Sequence, residues 1–127
     1  MAPRLTILLS GMIAADPHQG GATWAVLQYL LGFRRLGHDV FFVEPVAAKA
    51  LRPAGALFVE SENAAYFRRV VAEFGLADRA TLLLAGTRET VGLPHAELVR
   101  AAGRADVLVN VSGLLTDEAI TGRPDAR

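Results

Sequence analysis

Four short apolar runs, separated by segments with helical periodicity, most strongly constrain the fold of this chain. The runs cover residues 5–9, 40–43, 81–85 and 107–111. Each has the length and the nearly continuous apolar character of a strand that is covered on both faces. Strands that alternate with helices predict an α/β fold in which helices are wound on both sides of a mainly parallel sheet.

The segments between the strands carry signals for the starts and ends of helices. Residues 22–36 place apolar side chains at helical spacing, and Gly37 follows as a typical left-handed cap. Ser61 is expected to cap a second helix. A third helix is expected to begin at Pro94 and to end at Gly103. We therefore predict a Rossmann-like, doubly wound three-layer sandwich.

Two stretches of the chain are harder to interpret. We expect the second strand to end at Glu44–Pro45, because proline cannot continue a central ladder. Residues 46–60 fit a short helix, a loop or an edge strand, and the sequence does not separate these alternatives. Residues 122–127 resemble a turn that leads into another strand, so we expect the sheet to be incomplete at the carboxyl terminus.

Length and composition exclude several classes of function. The 127 residues fit one domain, with 13 basic and 13 acidic side chains and a formal net charge of zero. This balance provides no basic surface for nucleic acid. The chain has no cysteine, which excludes disulfides and thiolate metal sites, and we expect a cytoplasmic location. No apolar run approaches the roughly 18 residues of a membrane span.

The connection between the first strand and the first helix is the strongest functional signal. The apolar run stops at Ser10–Gly11, a polar loop follows, and the helix opens at the pair Gly20–Gly21. In open α/β sheets, ligands bind at the carboxyl ends of the strands. Glycines at a helix start let backbone amides approach an anion closely, with the positive end of the helix dipole behind them.

Two common nucleotide-binding signatures are missing from this loop. A dinucleotide fingerprint requires three closely spaced glycines, but Met12 and Ile13 follow Gly11. A phosphate-binding loop ending in Gly-Lys-Ser/Thr is also missing, because Lys49 is the only lysine in the chain. The anion site predicted at Gly20–Gly21 is therefore not that of a typical dehydrogenase or NTPase.

Residues 4–45 resemble the amino-terminal half of GT-B-fold glycosyltransferases. The resemblance is carried by the residues QGGAT at 19–23, by the turn RRLGHDV at 34–40 and by the strand FFVEP at 41–45. Only the general alternation of strands and helices extends it to residues 61–113. Members of the family have two facing Rossmann-like domains, of which the first mainly binds the acceptor and the second mainly binds the nucleotide sugar.

The resemblance implies roles for residues around the first loop. Gly20 and Gly21 would lie near the donor diphosphate, with Thr23 close by, and no cofactor or metal ion would be needed. His18 would be the catalytic base, because a histidine can accept the proton of the acceptor hydroxyl near neutral pH. Retaining members of the fold need no such base, and the sequence does not distinguish retaining from inverting chemistry. A solvated loop histidine is the alternative.

Polar residues at other strand ends are candidates for acceptor binding. Glu44 follows the second strand, while Asn110, Ser112 and Gly113 end or follow the fourth. Each also has an ordinary structural interpretation as a strand end, a local hydrogen bond or a turn. The remaining prominent side chains are expected to be structural, with packing roles for the aromatic ones and a turn or surface-helix position for the histidines: Trp24, Tyr29, His38 and His95.

Residues 1–127 are thus interpreted as one Rossmann-like domain, the amino-terminal half of a nucleotide-sugar-dependent glycosyltransferase. Such a domain would be inactive without its donor-binding half, and the two-domain protein would transfer a hexosyl group to a small-molecule or glycan acceptor. Its exposed domain face would favour self-association. A stand-alone, flavodoxin-like module that binds an anion or a nucleotide is the main alternative. A sugar-nucleotide epimerase or another Rossmann enzyme with unusual loop spacing is a third, and bound NAD in the purified protein would support it.

Overall fold

The structure, a computed structural model, describes residues 3–14 and 20–110. This part of the chain contains five strands and three α-helices, in the order β1 (Thr6–Ser10), α1 (Gly20–Arg35), β2 (Asp39–Val46), α2 (Glu62–Glu73), β3 (Ala80–Leu84), β4 (Thr90–Gly92), α3 (His95–Arg104) and β5 (Val107–Asn110). Two single 3₁₀ turns, Ala48–Ala50 and Phe58–Glu60, lie between β2 and α2.

The strands form one sheet in the order β4-β3-β2-β1-β5. All neighbouring pairs are parallel except β3 and β4, which are antiparallel. The fold is therefore α/β with a mostly parallel sheet, as predicted, and is consistent with a Rossmann-like fold. Because β3 lies beside β2, the parallel strands follow the order of dinucleotide-binding folds, whereas the flavodoxin-like order would place the third strand beside β1.

Side chains of alternate residues along the strands supply two separate apolar clusters. In β1, Ile7 and Leu9 belong to the cluster that includes α1 and α2 residues. Leu8, between them, belongs to the cluster that includes Leu98 and Ala101 of α3. Burial on both faces explains why β1 has no alternation of apolar and polar residues.

The predicted helix signals agree with the structure at most positions. Gly37 has a φ of 92° just after α1, a backbone conformation that glycine adopts readily. The Ser61 hydroxyl accepts a hydrogen bond from the Ala64 amide at 3.1 Å and caps α2. At α3, Pro94 occupies the N-cap, and Gly103 lies within the last turn of the helix instead of ending it.

The predicted end of the second strand is wrong, since β2 continues through Pro45 to Val46. The amide of Asp39 donates toward β1 and that of Phe42 toward β3. Amide directions alternate along a strand, so the nitrogen of Pro45 faces the β1 side. β1 stops at Ser10, which pairs with Val43. Pro45 lies two residues further along β2, so no residue of β1 stands opposite it to accept a hydrogen bond from a backbone amide.

The packing role predicted for two aromatic side chains of α1 is also wrong. Trp24 and Tyr29 are 52% and 53% exposed. The helix turns Val26, Leu27 and Leu30 toward the core instead, and residues 24 and 29 fall outside that stripe. Both rings therefore lie on the outer surface of α1.

Candidate functional site

The candidate site lies at the carboxyl edge of the sheet, where β1 has β2 on one side and β5 on the other. From β1 the chain adds β2 and β3 on one side and β5 on the other, so the direction of strand addition changes beside β1. Open α/β sheets bind ligands in the crevice at such a point. Gly20 and Gly21 are the first two residues of the 16-residue helix α1. Their amides belong to the first turn, whose N–H groups have no partner within the helix.

Three of the predicted site residues fall outside the residues that the structure describes. These are the base His18 and the acceptor residues Ser112 and Gly113. Their roles stay predictions. The described candidates are Gly20, Gly21, Thr23, Glu44 and Asn110.

Glu44 is 1% exposed and contacts the backbone that leaves β1. Its Oε1 accepts hydrogen bonds from the amides of Ile13 at 2.8 Å and Ala14 at 2.9 Å. Its Oε2 lies 2.9 Å from the same Ala14 nitrogen. The carboxylate thus binds two consecutive amides, and a direct contact with an acceptor stays a prediction.

Asn63 is a second buried polar residue at this edge, and no sequence pattern indicates its role. It is 0% exposed, and its Nδ2 donates to the carbonyls of Ala14 at 2.7 Å and Ala50 at 3.3 Å. Its Oδ1 accepts from the Arg52 amide at 2.8 Å. Asn63 lies in the first turn of α2 and joins the segment after β1 to the segment after β2.

Thr23 lies in the first turn of α1, near the predicted phosphate position. It is buried, and its Oγ1 lies 2.9 Å from the hydroxyl of Tyr66 on α2, a distance at which one hydroxyl donates to the other. The guanidinium of Arg69 lies 5.5 Å from the centre of the Tyr66 ring, which is within cation–π range. With Trp24, these side chains line a groove of about 210 Å³ between α1 and α2.

Ser10 and Asn110 are register partners at the carboxyl ends of β1 and β5. Ser10 is 0% exposed, and among the described residues its hydroxyl has no hydrogen-bond partner. An unpaired buried polar group costs about 1–3 kcal/mol, so such a group requires an explanation. Its position at the junction of β1 and β5 adds a further buried polar group to the candidate site.

Gly11 allows α1 to approach the end of β1 closely. A Cβ atom at this position would lie 2.9 Å from Cγ2 and 3.1 Å from Cγ1 of Val26, closer than packed carbon atoms normally approach. In the sequence, Gly11 is recognisable only as the end of the apolar run. Its packing role depends on a residue 15 positions later and has no local signal.

A second polar region lies at the opposite, amino edge of the sheet. A cavity of about 440 Å³ there is lined by three arginines, two aspartates and His38. The Nε of Arg79 donates to Asp39 Oδ1 at 3.0 Å, and the Leu5 amide donates to Nδ1 of His38 at 3.1 Å. His38, which follows the turn after α1, therefore holds the residue that precedes β1. This contact agrees with the structural role predicted for it.

Two negative findings apply to the part of the chain that the structure describes. Within residues 3–14 and 20–110, no group of three or more histidine, cysteine or acidic side chains could hold a metal ion. No described helix has both the length and the apolar character needed to cross a membrane.

Comparison with other proteins does not assign this chain to a family. No protein-family model, no curated protein and no solved structure matches it. A functional proposal therefore depends on the residues at the carboxyl edge and on the sequence around them.

Proposed function

We propose that this chain is the amino-terminal, acceptor-side domain of a nucleotide-sugar-dependent glycosyltransferase, with a doubly wound three-layer architecture. The observation that carries the proposal is the start of α1 on two glycines, directly after the connection from β1. The sequence around this connection, QGGAT followed by RRLGHDV, is the part that resembles GT-B enzymes.

The chemistry of a helix start supports a phosphate ligand at this position. The first amides of α1 lack partners within the helix, and the helix dipole is positive at this end. Glycine at two successive positions leaves no Cβ atom between these amides and an anion. A diphosphate leaving group that develops negative charge would gain stabilisation there without a bound metal ion.

The proposed reaction uses the remaining predicted residues in fixed roles. The acceptor hydroxyl oxygen attacks the anomeric carbon, the bond from that carbon to the diphosphate oxygen breaks, and the nucleoside diphosphate leaves. In an inverting enzyme His18 would take the hydroxyl proton. Asn110, Ser112 and Gly113 would contact the acceptor, because they end or follow the strand beside β1.

Calorimetric titration of the 127-residue chain with pyrophosphate, nucleoside diphosphates and nucleotide sugars tests this proposal. We expect all phosphate-bearing ligands to compete for one site. We also expect no transfer by this chain alone, because the donor-binding half would supply most donor contacts.

A double variant of the two glycines tests whether their lack of side chains is needed for phosphate binding. We expect Gly20→Ala combined with Gly21→Ala to weaken binding at least about tenfold, equivalent to about 1.4 kcal/mol. Gly32→Ala is the matched control, since it removes a glycine from the same helix at a position where an added Cβ meets nothing within 4 Å.

The possible results separate the proposals. Unchanged affinity in the glycine double variant, or no binding of any phosphate ligand by the wild-type chain, would contradict the proposed site. Transfer by the 127 residues alone would contradict the division of labour between two halves. Binding of simple anions without any contribution from the sugar would favour the stand-alone binding module.

A further inference from the structure

We propose that Glu44 and Asn63 are positioning residues, which hold the chain after β1 in the conformation that the ligand site requires. This inference rests on the proposed function, since it assigns these side chains to the anion site at the start of α1. Neither residue is placed in contact with the ligand. Both act through the backbone of Ile13 and Ala14.

The geometry at Glu44 selects a bent backbone. Successive amides of a strand point in opposite directions, but the amides of Ile13 and Ala14 both donate to the Glu44 carboxylate, at 2.8 and 2.9 Å. This arrangement is incompatible with an extended chain at these two residues. Consecutive amides that converge on one anion form a concave backbone, and the carboxylate stabilises that shape.

Asn63 holds the same segment from a different element. Its Nδ2 donates to the Ala14 carbonyl at 2.7 Å, so both the amide and the carbonyl of Ala14 are bonded to buried side chains. Its Oδ1 accepts from Arg52 at 2.8 Å. Donors and an acceptor are both needed, and among side chains of this size only an amide supplies them.

Stability alone is a poor explanation for this pair of residues. Burial of a carboxylate is expensive, and well-packed apolar residues often replace buried charged groups without loss of stability. Here Glu44 and Asn63, which lie on different elements, both bond backbone atoms of one short segment, residues 13–14. Only five sequence positions separate that segment from Gly20, so its direction limits how the chain can enter α1.

The test compares Glu44→Gln and Asn63→Asp with a matched control. Glu44→Gln keeps one acceptor oxygen but replaces the other, which lies 2.9 Å from the Ala14 nitrogen, with an amide donor, and Asn63→Asp puts an acceptor opposite two carbonyls. Thr81→Val is the control, because Thr81 is equally buried and its Oγ1 donates to the Leu93 carbonyl at 3.1 Å. It removes a partly buried hydrogen bond from β3 without a change near residues 13–14.

Two readouts separate positioning from a loss of global stability. Amide exchange measured by NMR is expressed as the rate at Ile13 or Ala14 relative to that at Leu8, a core residue of β1. We expect this ratio to rise at least about tenfold in Glu44→Gln and Asn63→Asp and to stay constant in Thr81→Val. Pyrophosphate affinity, measured by calorimetry, is expected to fall at least about tenfold in the same two variants.

Each result of this experiment has a defined meaning. An unchanged exchange ratio in both variants, or unchanged pyrophosphate affinity despite a raised ratio, would overturn the positioning role. A parallel loss of affinity in Thr81→Val would also overturn it, because general destabilisation would then explain the effect. Failure of the wild-type chain to bind pyrophosphate would refute the proposed site and the positioning role with it, while the exchange ratio would still report how residues 13–14 are held.

Discussion

The two edges of the sheet both carry polar side chains, but these side chains bond to different partners. At the carboxyl edge, the buried Glu44 and Asn63 bond backbone atoms of the segment after β1. At the amino edge, Arg79 pairs with Asp39, and their side chains are 38% and 26% exposed. Buried polar groups that are fully bonded fix a local structure, whereas a partly exposed ion pair contributes little.

This difference shows why charge alone does not identify the candidate site. The amino edge has the more strongly charged cavity, lined in part by Arg4, Arg34 and Arg79. However, Arg34 donates to the Phe74 carbonyl at the end of α2, and cations near helix ends are ordinary stabilising partners. At the carboxyl edge, two buried polar side chains, Glu44 and Asn63, both bond the short segment at residues 13–14.

The largest effect is expected for Glu44→Ala. This substitution leaves the amides of Ile13 and Ala14 without their carboxylate, and we expect a loss of about 3 kcal/mol or more in the free energy of unfolding. Chemical denaturation measured by circular dichroism checks this value. A loss below about 1 kcal/mol would show that water or another group replaces the carboxylate easily, and the contrast between the edges would disappear.

A smaller effect is expected for Gly11→Ala, also at the carboxyl edge. The new methyl group would meet both γ carbons of Val26, and a β-branched side chain has few alternative rotamers in a helix. We expect a loss of about 1–3 kcal/mol in the free energy of unfolding. The double variant Gly11→Ala/Val26→Ala should recover part of the Gly11→Ala loss, measured as a coupling energy in a double-mutant cycle. Strict additivity would contradict the proposed contact.

At the amino edge, Gly37→Ala is expected to cost about 1 kcal/mol. The space around Gly37 is open, with nothing within 4 Å of an added Cβ, so the cost arises only from its φ of 92°. Gly37→Asn should cost less, because asparagine tolerates the left-handed region better than alanine. Thermal unfolding of the two variants checks the order, and equal losses would indicate that backbone conformation is not the cause.

The smallest effect is expected for Asp39→Asn, which weakens the ion pair with Arg79. We expect a change of at most about 1 kcal/mol in the free energy of unfolding, because solvent screens a partly exposed pair. Added salt should reduce the difference between the variant and the wild type. A loss as large as that of Glu44→Ala would reverse the comparison between the two edges.

Much of the fold could be predicted from the sequence because its signals are local. The strands β1, β2, β3 and β5 each contain a short apolar run, and Gly37 and Ser61 mark helix boundaries through their own backbone or side-chain chemistry. β4 was missed because Thr90–Gly92 has only three residues, too few to show a period. The sequence of residues 46–60 does not separate a helix, a loop and a strand, and the structure places two 3₁₀ turns there.

The candidate site was less predictable because its contacts are distant in sequence. Glu44 could be selected from its place near a strand end, but its partners are 30 and 31 residues away. Asn63 is 49 residues from Ala14, and an asparagine in the first turn of a helix has no distinctive sequence signal. The glycine pair at 20–21 was apparent because a helix start is a local feature.

Pro45 has a consequence for the neighbouring strand. Its ring nitrogen carries no hydrogen and faces the side of the sheet on which β1 has just ended. A strand that continued β1 beyond Ser10 would therefore find no amide donor at Pro45. The chain leaves the sheet at this point, before it continues toward α1. Glu44, one residue earlier on β2, then supplies to the departing amides the acceptor that a strand carbonyl would otherwise provide.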